Sequence, residues 1–102
     1  MGMKTDRIAT TAAGLKYVVV SVNFETNVVS TWGELASYRA KQDRLTGEIT
    51  TVSRKFEDTK SFKLDDVTLS HEVPTASSLD AAMKQGRRAR SARILTNELY
   101  AV

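Results

Sequence analysis

The stretch "TWGELASYRAKQDRLTG", Thr31 to Gly47, decides the fold because it reads two ways. As a helix, Thr31 and Glu34 form a capping box and Gly47 closes the C-terminus. Its apolar residues, however, make no clean stripe at the helical period. As a strand, Ala36, Tyr38 and Ala40 alternate with Ser37, Arg39 and Lys41. "RLTGE" (44–48) then resembles a four-residue hairpin loop, with Gly47 where a positive φ is needed. We place the hairpin ahead of the helix, and the sequence alone leaves both open.

Both flanks are strand-like. "EITTVSRKF" (48–56) alternates in the same manner. Upstream, "LKYVVVSVNF" (15–24) is β-branched and aromatic. There Val18, Val20, Val22 and Phe24 share a fully apolar face, and Tyr17, Val19, Ser21 and Asn23 a half-polar one. "ETNVVSTW" (25–32) gives a turn and a short strand. "SFKLDDVTLSHEV" (61–73) reads as one further strand, with Val67, Leu69, His71 and Val73 on one side. Pro74 ends it, since proline donates nothing to a ladder. Residues 1–13 are small and polar and read as a flexible arm or a poorly formed first element.

From residue 75 the chain turns helical. Ser77 with Asp80 three residues on is a start signal. Leu79, Ala82, Met83 and Gly86 form one stripe, and Ala92, Leu95 and Leu99 another pointing nearly the opposite way. Two arrangements fit: a break near Gly86–Arg88, or one helix packed between two bodies. Either leaves more apolar surface than one small sheet can cover, which points to a partner subunit. Leu79, Met83, Ala92, Leu95 and Leu99 are the candidate oligomer interface. The expectation is an α+β domain over 1–102: arm at 1–13, antiparallel sheet of about four strands at 14–74, and one long or two short helices at 75–102.

Composition narrows the chemistry. With 41% hydrophobic and 26% charged residues in 102, the chain is globular and small. It has no cysteine and a single histidine, which removes disulfides, thiolate metal sites and multi-histidine centres. His71 and Glu72 are strand neighbours and face opposite ways, so they cannot act as a pair. Asp65–Asp66 reads as a polar bulge sooner than a cation site. The five glycines never cluster into a phosphate loop. No enzyme activity, metal or cofactor is expected. The apolar run 17–20 is too short to span a bilayer, so no membrane is expected. The N-terminus lacks the apolar core of a secretory leader.

The net charge of +3 is compatible with an anionic partner. Two basic clusters stand out. Lys84, Arg87, Arg88, Arg90 and Arg93 lie between Asp80 and Glu98 with no acid among them, and could meet phosphates or an acidic subunit. Around Gly47, Arg39, Lys41, Arg54 and Lys55 mix with Tyr38, Thr51 and Ser53. Cations that track a backbone, hydroxyls that bond to it and a ring that stacks bases are what a single strand of RNA or DNA requires.

The last strand, Thr/Ser-rich turn and helix of "LDDVTLSHEVPTASSLDAAMKQG" (64–86), with the terminal "ILTNELYAV" (94–102), resemble the coat proteins of single-stranded RNA bacteriophages. The resemblance implies two subunits sharing one sheet and C-terminal helices crossing over the partner's sheet. It further implies an exposed sheet face that binds an RNA hairpin inside a capsid. The expected function is thus a non-enzymatic structural protein, a homodimer that self-assembles into a shell and contacts RNA, in a virion or the cytoplasm. The alternatives are a small basic single-stranded nucleic-acid-binding module on a barrel-like sheet, and a protein–protein adaptor.

Overall fold

The structure is a computed structural model that describes the backbone of residues 5–100 and the side chains of residues 5–89. Five strands form one antiparallel sheet: β1 (Asp6–Thr11), β2 (Lys16–Asn23), β3 (Val28–Gln42), β4 (Ile49–Lys63) and β5 (Val67–Glu72). Their order is β4-β3-β2-β1-β5, a meander whose last strand returns to pair with the first. One helix, α1 (Ala76–Tyr100), follows. The protein is α+β with an antiparallel sheet, and it has five strands where about four were expected.

Residues 31–42 are strand. Asp43 N–H donates to Glu48 O (2.8 Å), so the loop proper is Arg44–Gly47, with Gly47 at φ 72°. Asp43 Oδ1 accepts from Leu45 N–H at 2.8 Å, the Asx turn that makes aspartate a loop former. A second reason lies at Gly33. A Cβ there would collide with the Glu57 carbonyl oxygen, so β3 and β4 close up only because this residue is glycine.

Two expectations are corrected. Residues 6–11 are not an arm: they form β1, inside the sheet, paired on both sides (Ile8 with Val18 and with Ser70). Ladder bonds to two neighbours hold a segment whose own apolar content is low. The segment 61–73 is not one strand. Ser61–Lys63 ends β4, and a 3₁₀ turn at Leu64–Asp66 separates it from β5. Leu64 N–H donates to Asn27 O, which pins that turn. Of the two helical arrangements the structure has the single long one: α1 runs unbroken through Gly86–Arg88 and starts at Ala76. Thr75 and Ser78 cap it reciprocally, each side-chain oxygen accepting the other's N–H (2.9 and 3.1 Å). Gly86 sits inside the helix where its lack of a Cβ lets α1 lie close to β3, since a Cβ there would sit 2.9 Å from Leu35 O.

The helix packs on β3 through the predicted first stripe. Leu79 joins Leu35 and Ile49 in the core, with Ala82, Met83, Tyr38, Val52 and Phe56 packed around them. Gln85, on the flank of that stripe, ties the helix to β2 as well. Its side-chain oxygen accepts Lys16 N–H (3.1 Å) and its amide donates to Lys16 O (3.2 Å), as a neighbouring strand would. On β2 the buried residue is Tyr17, whereas Val20, and Phe24 just past its end, of the apolar alternation are exposed.

The sheet is curled. Arg54 on β4 reaches Asp6 on β1 at 2.6 Å, although β3 and β2 lie between them. A flat sheet would hold those strands about 14 Å apart. The curl follows from register shifts at Val19/Ser21 and Leu35/Ser37, and from Asp58 at φ 62°.

Candidate nucleic-acid interface

The β3–β4 hairpin sorts the predicted residues onto two faces. Directly paired residues share a face, and successive ones alternate. Ser37 pairs with Lys55, Arg39 with Ser53 and Lys41 with Thr51. All six are exposed. Tyr38 pairs with Arg54 and Ala40 with Val52. Tyr38 and Val52 pack against the core under the helix, so this second face points inward.

The sequence therefore placed Arg39, Lys41, Thr51, Ser53 and Lys55 together in space, and grouped Tyr38 and Arg54 with them where the structure separates them. Tyr38 Oη donates to Asp80 Oδ1 at 2.7 Å. That hydrogen bond, then desolvation, raises its pKa above 10.0. Arg54 is held by Asp6 in two hydrogen bonds, and its guanidinium lies 5.6 Å over the Phe56 ring. Neither is available to a ligand on the outer face.

What the outer face offers is three cations, Arg39, Lys41 and Lys55, interleaved with three hydroxyls. Among the described residues, the ion pairs Lys16–Glu72, Arg54–Asp6 and Lys60–Glu34 involve none of these three cations. The face carries no aromatic ring. It suits contact with phosphates and sugars, which positions a strand without reading its bases.

The helical cations form a separate feature. Lys84, Arg87 and Arg88 are exposed on α1. The helix covers the Tyr38 side of the hairpin, so these charges lie across the sheet from Arg39, Lys41 and Lys55. The side chains of Arg90 and Arg93, and of Ala92, Leu95 and Leu99, lie outside the described residues. Leu79 and Met83, expected at a subunit interface, are occupied within the protomer: Leu79 is 4% exposed.

Sequence reading missed one polar cluster. Glu34, 4% exposed, pairs with Lys60 at 3.0 Å, and Lys60 Nζ lies 5.6 Å over the Tyr17 ring. Burial raises the Tyr17 pKa, opposed by Lys60 and assisted by Glu34. The signal available was a glutamate inside a strand next to Gly33, but its partner lies far along the chain.

Among the described residues no group of three or more His, Asp or Glu is placed to hold a metal ion, and no helix is long and apolar enough to cross a membrane. His71 sits opposite Arg7 and is exposed. Comparison with protein-family models, with curated proteins and with solved structures returned no match.

Proposed function

We propose that this protein binds single-stranded nucleic acid, RNA in the first place, through the outer face of the β3–β4 hairpin, and that it does so without catalysis. The observation that carries this is the ladder of three cations, unpaired among the described residues, alternating with hydroxyls on one exposed ribbon. Uncompensated charge in register on a rigid element favours a polyanion. Three phosphate contacts give a slope of log K against log salt of about −2 for a single strand. The test is the triple charge removal Arg39→Gln, Lys41→Gln, Lys55→Gln, read by oligonucleotide binding. Loss of binding and of most of the salt slope is expected. Unchanged affinity rejects this face as the site, and no affinity at any salt concentration turns the reading to a protein–protein adaptor.

A second reading, the coat-like homodimer that assembles further around RNA, is favoured by the place of the 15-residue strand β4 at one end of the sheet and by the length of α1. At 25 residues α1 runs about 37 Å. The stripe that seats it on its own sheet ends at Gly86. In the coat-protein arrangement the helices lie over the partner's sheet, whereas here that part of α1 lies over its own. Light scattering and electron microscopy of the purified protein separate the readings: particles containing nucleic acid support the shell, and a monomer that binds oligonucleotides supports the module.

A further inference from the structure

A shallow cleft lined by Trp32, Glu34, Phe56, Asp58, Thr59 and Lys60 lies beyond the cationic ladder along the hairpin. Two features set it apart from an ordinary surface dip. The first is Trp32. Its ring stacks on Phe56 (centroids 5.7 Å apart, planes at 8°) yet stays 43% exposed. Phe56 holds one ring face, and the residue's remaining exposure leaves room for a second planar group against the indole. The second is the Glu34–Lys60 pair. A carboxylate almost removed from water sits 3.0 Å from an ammonium, and both line the cleft. A carboxylate has about four acceptor sites and an ammonium three donors, so one mutual contact leaves capacity in both. The cleft thus presents a stacking surface beside an adjacent donor and acceptor.

That combination has a natural complement. An unstacked base needs an aromatic platform and partners for its Watson–Crick edge. Guanine presents in a row the O6 acceptor and the N1–H and N2–H donors. A lysine beside a carboxylate matches that order, with the ammonium on O6 and the carboxylate oxygens on the two donors. Adenine has no such pair of adjacent donors, and hypoxanthine lacks the N2 amine. We propose that this cleft takes a single guanine base from the bound strand. The proposal rests on the nucleic-acid reading only for the source of the base. The geometry allows both sites to be used at once, because β4 is an edge strand. Its Thr51, Ser53 and Lys55 face outward on the ladder, and its Phe56, Thr59 and Lys60 line the cleft. A strand crossing that edge meets first one and then the other.

Trp32 is the sole tryptophan, so its fluorescence reports on the cleft directly. The native protein is titrated with GMP, IMP, AMP and, as a cationic control, arginine amide. Saturable quenching by GMP is expected, with IMP and AMP weaker by about tenfold because a donor is lost opposite a charged acceptor. Glu34→Gln should erase the preference of GMP over IMP, and since removing a buried charge can unfold the chain, the comparison of ligands on the native protein decides independently. Equal affinity for all three nucleotides overturns the proposal, as does the absence of saturable quenching. Quenching by arginine amide without GMP assigns the cleft to a cationic partner and also overturns it. The Arg39→Gln, Lys41→Gln, Lys55→Gln variant separates the two sites: GMP quenching survives there even where oligonucleotide binding is lost.

Discussion

Arg54 on β4 grips Asp6 on β1 across two intervening strands, with Nη1 2.6 Å from Oδ2 and Nη2 3.1 Å from Oδ1. Both side chains are more than four-fifths buried. The pair closes the curl of the sheet and ties the first strand to the middle of β4.

Breaking that pair should therefore cost more than a surface ion pair. Arg54→Ala or Asp6→Ala leaves a partly desolvated charge without its partner, a loss of about 3 kcal/mol. For a domain of this size that lowers Tm by roughly 10–20 °C. The double replacement Asp6→Leu with Arg54→Met should melt closer to the native protein than either alanine variant, because no charge is then stranded. Thermal unfolding followed by circular dichroism checks all three.

Tyr38 makes stability depend on alkaline pH. Its hydrogen bond to Asp80 favours the protonated phenol and raises the folded pKa above the unfolded value of 10.0. A group raised in the folded state contributes stability that is complete below the unfolded pKa. That contribution is lost as pH rises through the folded pKa. Denaturant midpoints should thus fall above pH 10, and Tyr38→Phe should make that fall smaller. Ultraviolet titration of the phenols should show Tyr38 ionising late, and Tyr17 late as well because of its burial.

Two glycines should resist alanine for the same steric reason on different elements. Gly86→Ala places a methyl 2.9 Å from Leu35 O and 3.1 Å from Glu34 Cβ. Alanine ordinarily favours a helix by about 1 kcal/mol over glycine. Here the clash outweighs that, and a net loss of about 1–2 kcal/mol is expected. Gly33→Ala, which drives a methyl into the Glu57 carbonyl, should lose about 3 kcal/mol. Chemical denaturation of both variants gives the comparison, and a stabilised Gly86→Ala would contradict the packing at that contact.

The two faces of the hairpin predict opposite phenotypes. Arg39→Gln, Lys41→Gln and Lys55→Gln should each leave stability within about 0.5 kcal/mol, since the side chains are exposed and unpaired. Together they should abolish oligonucleotide binding. Tyr38→Phe should leave binding intact, because its ring lies under the helix. Equal effects of the inward and outward substitutions on binding would sink the assignment of the outer face.

The sequence by itself determined the elements whose signals are local. The β-branched run at 15–24 carries a strand, Pro74 ends β5, and Leu79, Ala82, Met83 and Gly86 line one side of a helix. Each follows from backbone sterics or from a periodicity carried by neighbouring residues. The turn at 44–48, by contrast, stays open against a helix until the structure decides it. Tertiary structure decided the rest. β1 has little apolar content of its own and exists because β2 and β5 both pair with it. Alternation required Tyr38 and Arg39 to face opposite ways, but only the side on which α1 docks says which of them is outside. The Arg54–Asp6 and Glu34–Lys60 pairs join residues far apart in the chain, and the curl of the sheet brings them together. No local pattern encodes a contact that depends on the sum of several strand twists and bulges.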